Sequence, residues 1–192
     1  MDDYTFLKKI YRHLDLNKLV KESPGISIND IDLFFRKIRD SLGIKPENNA
    51  EHENLREFIL YTDGAARGNP GPASVGCVLK NSKGDTLQEL SRVIGTATNN
   101  VAEYQALIYG LELALNFQPD RLDIYSDSEL LVKQMNGEYK TKNPRIRELR
   151  EIALVKLQSI ENYSFTAIKR ELNADADALA NKALDETAPG KN

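Results

Sequence analysis

Four acidic residues of this 192-residue chain, Asp63, Glu103, Asp127 and Asp177, fall where the sequence pattern starts or ends structural elements. Carboxylates that converge repel one another unless cations fill the space between them. Oxygen ligands with no cysteine or histidine cluster select a hard ion, Mg²⁺ or Mn²⁺. Each acid taken singly has a plainer explanation. Asp63 precedes Gly64 in ordinary turn chemistry, although Gly64, Gly68 and Gly71 also let the backbone bend sharply and approach another molecule. Asn100-Val-Ala-Glu103 is close to a capping box. Asp127 could cap the helix after it, and Asp177 lies near the positive end of another. The joint placement of the four, at the edge of the expected sheet or at helix starts that could meet there, is what points to metal chemistry.

The elements that must position them follow from periodicity. From Arg56 the chain alternates and is rich in β-formers: Phe58–Tyr61, ended by Asp63, then Ala73–Lys80 and Thr86–Ile94, with turns at 68–72 and 81–85. A helix is expected from about Asn100 to Phe117, with Ala102, Ala106, Leu107, Leu111, Ala114 and Leu115 as its apolar stripe and Pro119 as its stop. Next come a strand at Leu122–Tyr125, a helix from about Ser128, a turn near Gly137 and a helix from Pro144 to about Ile160. A strand at Ser164–Ile168 and a helix from Ala174 to about Leu184 complete the unit. The order β-β-β-α-β-α-α-β-α is an α/β layout in which the later strands can join the first in parallel.

Residues 1–44 read differently, as a small helical unit: Phe6, Leu7, Ile10 and Leu14, then Ile31, Phe34, Phe35, Ile38 and Leu42, recur at helical spacing. Pro24-Gly25 marks a turn, and Ser27 and Asn29 are candidate caps. Residues 45–54 are polar and aperiodic, which suits a linker, and 188–192 form a tail. The expected division is therefore 1–44, a linker, a main domain over 55–187 and the tail.

Hydrophobic residues at 41% and charged residues at 29% suit a folded globular protein. Neither a signal-type apolar run near Met1 nor a stretch of 18 apolar residues occurs, so no membrane partner and a cytoplasmic location are expected. The single cysteine, Cys77, stands among apolar residues and suits a reducing compartment. A net charge of −3 argues against phosphate binding, but Lys133, Lys140, Lys142, Arg145, Arg147 and Arg150 outnumber Glu138 and Glu148 in one stretch that includes Tyr139.

The segments Tyr61-Thr-Asp-Gly-Ala-Ala-Arg-Gly-Asn-Pro-Gly-Pro72, Thr98-Asn-Asn-Val-Ala-Glu-Tyr-Gln-Ala-Leu107, Tyr125-Ser-Asp-Ser-Glu-Leu130 and Ala176-Asp-Ala-Leu-Ala-Asn181 resemble, in order and spacing, the motifs of the type 1 ribonuclease H family. The resemblance covers about residues 56–186. It implies the ribonuclease H-like fold, an α/β domain with a mixed five-stranded sheet, here preceded by the small helical unit. It implies an endonuclease acting on the RNA strand of an RNA–DNA hybrid, with Asp63, Glu103, Asp127 and Asp177 holding two Mg²⁺ or Mn²⁺ ions roughly 4 Å apart. Products would carry 5′-phosphate and 3′-hydroxyl ends. Asp177 is preferred to Asp175 because x-Leu-Ala-Asn follows it.

The resemblance also assigns substrate contacts. Gly64, Asn69, Thr98, Asn99 and Asn100 would meet the hybrid, whose shallow minor groove presents 2′-hydroxyls to side-chain amides. The basic stretch from Lys133 to Arg150, with Lys140 and Lys142 foremost, would follow DNA-strand phosphates. Many members carry a mobile histidine in the loop before the last helix, whereas this chain reads Ile168-Lys-Arg-Glu-Leu-Asn-Ala there, and Arg170 is the candidate substitute. Glu129 stands where several members have glutamine and would either repel phosphate or enlarge the metal cluster. The alternatives are another two-metal nuclease of the same fold, or a non-catalytic nucleic-acid-binding module. For residues 1–44, nucleic-acid binding and self-association are both open.

Overall fold

The computed structural model describes residues 56–187 throughout and, before them, Phe6, Ile10, Ser23, Ile31, Phe34, Phe35, Lys37, Ile38, Ser41 and Leu42. The chain divides into two compact units, Met1–Glu53 and Asn54–Asn192. In the first, Phe6, Ile10, Ile31, Phe34, Phe35 and Ile38 are helical, as their spacing suggests. The Pro24-Gly25 turn, the caps at Ser27 and Asn29, the linker and the tail lie outside the described residues.

The second unit is a five-stranded sheet in the order β3-β2-β1-β4-β5. Its strands are β1 (Glu57–Ala66), β2 (Gly71–Asn81), β3 (Thr86–Ala97), β4 (Arg121–Ser126) and β5 (Asn162–Ala167). The first three form an antiparallel meander, and β4 and β5 join β1 in parallel. Helices α1 (Asn99–Leu115), α2 (Glu129–Met135), α3 (Pro144–Leu157) and α4 (Ala174–Glu186) complete it, with a short 3₁₀ turn at Arg170–Leu172.

Alternation along the strands decides which helix covers which face. Leu60 and Thr62 on β1 are fully buried, and their side chains lie where a Cβ at Gly110 of α1 would meet them. Leu79 on β2 and Leu122 and Ile124 on β4 join Leu107 and Leu111 of α1 and Leu149 and Leu157 of α3 in the same core. Burying each leucine of this kind contributes about 1.5–3 kcal/mol, which outweighs the modest helix propensities involved. The opposite face receives α4, whose Ala176 and Ala180 back onto Gly76 of β2.

One difference from the sequence pattern bears on the site. Asp63 lies inside β1 and does not end it. Pairing with β4 stops at Tyr61↔Tyr125, but pairing with β2 continues through Asp63↔Gly76 to Ala66↔Ala73. β1 thus projects beyond β4, held on one side only, and the turn after β4 is left beside Asp63.

Candidate active site

Asp63 is 5% exposed on the projecting part of β1. Glu103 is brought to it by a close approach of backbones. A Cβ at Gly64 would stand 2.2 Å from the Ala102 carbonyl carbon and the Glu103 nitrogen, so only glycine lets the first turn of α1 rest on β1 here. The bare Cα at 64 therefore serves α1, and the Gly64 backbone partly offsets the upward shift of the Glu103 carboxyl. The helix starts at Thr98, whose Oγ1 accepts the Val101 N–H, so Asn100 is not its cap and Glu103 is not the partner in a capping box.

Asp127 follows β4 directly. The cap position of α2 belongs to Ser128, and its N–H bonds Ser126 Oγ at 3.1 Å, so Asp127 is not spent as the cap. Asp177 lies in the first turn of α4, and its N–H donates to the Asn173 carbonyl at 3.0 Å. A Cβ at Gly76 would lie 2.1 Å from the Ala176 carbonyl oxygen, and this second close approach sets α4 against the sheet.

The four acids come from four elements and act on one another through space. Burial first, then the charges of Asp127 and Asp177, push the Asp63 carboxyl up to about 7, with Arg170 opposing the shift. Burial first, then the charges of Asp63 and Asp127, hold Glu103 well above the usual carboxylate range. Arg170 Nε donates to Asp177 Oδ1 at 3.0 Å, and the guanidinium's charge reaches Asp63, Glu103 and Asp127. Among the described residues, no three acids, histidines or cysteines stand close enough together, as placed, to hold one ion. The donor set nonetheless fits a hard cation. Glu103 Oε2 is a buried acceptor with no hydrogen bond, and the raised pKa of Asp63 and Glu103 marks two crowded carboxylates whose charge a cation would offset.

Asp175, the rival to Asp177, is 66% exposed and pairs with Lys80 at 2.9 Å, away from the cluster. Glu129 neither joins the carboxylates nor stands alone, because it pairs with Lys133 one turn on. Asn69 Oδ1 accepts the Asn99 N–H at 3.2 Å, which ties the β1–β2 turn to the start of α1. Asn69, Thr98 and Asn100 line a cavity of about 410 Å³ with Val101, Asn143, Arg145 and Ile146. Arg145 belongs to the basic stretch expected to follow DNA-strand phosphates, whereas Asn143 is absent from the sequence-based contacts. Nothing local marks Asn143 beyond its place as the cap of α3, and Arg145 pairs with Glu148. Lys140 and Lys142 are exposed between α2 and α3 and touch none of the four acids. In the basic stretch, Lys133, Arg145 and Arg150 have acidic partners, while Lys140, Lys142 and Arg147 have none among the described residues.

An antiparallel meander extended by two parallel strands, with acids gathered at one end, defines the ribonuclease H-like fold. Residues 61–183 match the family model described as Reverse transcriptase-like. The chain is 47% identical over 126 residues to the ribonuclease HI of Halobacterium salinarum, covering 66% of this chain and 63% of that protein. It is 34% identical to the ribonuclease H of Chlorobaculum parvum, covering 68% of this chain and 97% of the relative. Among solved structures, ribonuclease H1 of Halobacterium salinarum superposes with a TM-score of 0.67 at 45% identity, covering 68% of this chain and 99% of that one. LC11 ribonuclease H1 in complex with an RNA/DNA hybrid does so with a TM-score of 0.63 at 48% identity, covering 67% and 97%. The chain belongs to the ribonuclease H family.

Proposed function

We propose that this chain is an endonuclease that hydrolyses the RNA strand of RNA–DNA hybrids, using two Mg²⁺ or Mn²⁺ ions and leaving 5′-phosphate and 3′-hydroxyl ends. The observation that carries the proposal is the approach of Asp63, Glu103, Asp127 and Asp177 from four elements, near enough for burial and their mutual charge to raise the Asp63 carboxyl to about 7 and hold Glu103 above the usual range. Ions bound there would activate water and offset the charge that develops on the attacked phosphate and the leaving oxygen. The four carboxylates would hold them. Asn69, Thr98, Asn99 and Asn100, with Asn143 and Arg145 across the cavity, would seat the nucleic acid by hydrogen bonds to sugars and phosphates, as A-like duplexes require. Lys140 and Lys142 would meet phosphates further along. Arg170, mounted against Asp177, would act on the phosphate before or after cleavage. Support comes from the family, and from a 48% identical relative solved with a hybrid bound.

Among the described residues no helix is long and apolar enough to cross a membrane, and Cys77 is free and buried. A cytoplasmic enzyme acting on hybrids, with no membrane partner, is consistent with both. Residues 1–44 would form a separate domain joined by 45–54, either binding nucleic acid or mediating self-association. A fragment beginning near Glu53 should fold and keep metal-dependent cleavage. If the first unit binds nucleic acid, the full chain will hold hybrid more tightly and with a steeper salt dependence than the fragment. If it mediates association, sedimentation will show a larger species for the full chain alone.

Labelled hybrid, duplex DNA, duplex RNA and single strands, each incubated with and without chelator, test the reading. Cleavage confined to the hybrid's RNA strand and stopped by chelator is expected. Equal cutting of duplex DNA would make the chain a different nuclease of the same fold, and binding without cutting would make it a non-catalytic module.

A further inference from the structure

The four carboxylates reach the site from β1, α1, the turn after β4 and the first turn of α4, so their mutual placement needs a link between those elements. Asn173, immediately before α4, supplies one and is 1% exposed. Its Nδ2 donates to the Thr62 carbonyl oxygen at 3.0 Å and to Asp127 Oδ1 at 2.8 Å. Its own carbonyl accepts the Asp177 N–H at 3.0 Å. One residue therefore touches the Asp127 carboxylate, the peptide that leads into Asp63 and the backbone of Asp177.

The chemistry of the contacts selects the residue type. Both partners of the side chain are acceptors, so the group between them must present two N–H donors from one atom on a short stem. An aspartate would set a third acceptor against them, and a serine hydroxyl has one hydrogen for two oxygens. Rotating the amide would turn Oδ1 toward two oxygens and lose both bonds. As placed, Oδ1 is buried with no hydrogen bond among the described residues, so that half of the amide adds nothing to folding. The donor half alone explains the asparagine.

We propose that Asn173 is the positioning residue of the carboxylate cluster, fixing the orientation of Asp127 and locking the start of α4 to β1 without touching substrate. The inference rests on the reading of these acids as a metal-dependent active site. It differs from a merely structural role in what it predicts: a folded protein without this amide should hold the metal poorly and turn over slowly while still binding hybrid. Groups that orient metal ligands from behind typically change affinity or activity by about 10- to 100-fold.

The test compares Asn173→Ala with Leu184→Ala, which loosens α4 through its apolar anchor, and with Asp175→Asn on the same helix. Mn²⁺ affinity is measured by calorimetry on each full-length protein, and kcat and KM on labelled hybrid. For Asn173→Ala, Mn²⁺ affinity and kcat should each fall about 10-fold or more with KM within about 2-fold. Folded Leu184→Ala and Asp175→Asn should keep both near wild type. If Asn173→Ala does not fold, Asn173→Ser, with one donor and less empty space, is measured by the same criteria. Mn²⁺ affinity and kcat within about 2-fold of wild type in the folded variant would overturn the proposal. Should wild type bind Mn²⁺ yet cleave no hybrid, the functional reading fails alone, and the calorimetry still decides the role of Asn173.

Discussion

Asp63 and Glu103 are buried and feel Arg170 only through space, whereas Asp177, a quarter exposed, is in direct contact with that guanidinium. The inner pair is held by backbone: a strand that outruns its neighbour, and a glycine that lets α1 rest on it. The outer acid is held by a helix start and met by a mobile type of side chain. The difference teaches that rigidity and electrostatic cost are concentrated in the same place. The inner carboxylates are fixed where repulsion is greatest, so the cluster is built for a charge that the protein itself supplies only at the rim.

The largest expected effect tests the inner pair. Asp63→Asn should lower cleavage by at least about 10³-fold, the several kcal/mol of charge stabilisation that a bound ion contributes. The same variant should be more stable than wild type when metal is absent, and the sign follows from linkage. The folded-state pKa of Asp63 lies near 7, above its ordinary value of 3.8. The folded chain therefore binds the proton more tightly than the unfolded one, and stability present below about pH 4 is lost as pH rises through 7. In chelator at pH 8, chemical denaturation should find Asp63→Asn more stable, by on the order of 2–4 kcal/mol. At pH 4 the gap should close. A variant less stable at pH 8 would mean that the inner pair carries no such cost.

The rim should respond more weakly. Arg170→Ala is expected to reduce kcat by about 10-fold while KM changes by less than about 2-fold, since its charge acts on the reacting phosphate more than on binding. A raised KM with kcat unchanged would make Arg170 a binding group. Smallest of all is Asp175→Asn, which removes an exposed ion pair with Lys80 worth no more than about 1 kcal/mol. Its cleavage rate should stay within about 2-fold of wild type, and a large loss would show that the wrong acid of α4 has been assigned to the cluster.

Much of this contrast could be read in the sequence, and the remainder has physical reasons for being hidden. Asp63, Glu103, Asp127 and Asp177 stand in motifs whose spacing names them, and the order of strands and helices follows from periodicity. The extension of β1 past Asp63 could not be read, because it rests on pairing with β2 that continues to Ala66 after pairing with β4 has ended at Tyr61. Asn173 reads locally as nothing more than a residue before a helix, yet its amide meets Thr62 and Asp127, which lie 111 and 46 positions away. Asn143 and Arg145 join Asn69 and Thr98 only because α1 and α3 pack together. The neutralisation of Glu129 by Lys133, by contrast, is a helical i,i+4 pair visible in the spacing alone.

The central claim, that these carboxylates hold the ions that cut RNA in a hybrid, is tested most directly at Asp127. Its change to asparagine removes a charge while keeping the side chain's shape. Cleavage of labelled hybrid would be followed against Mg²⁺ concentration for wild type and Asp127→Asn, with hybrid affinity measured in parallel. Wild type should require Mg²⁺, and the variant should bind hybrid within about 2-fold of wild type and cleave at least about 10³-fold more slowly at every concentration. Cleavage by Asp127→Asn within a few-fold of wild type would contradict the assignment.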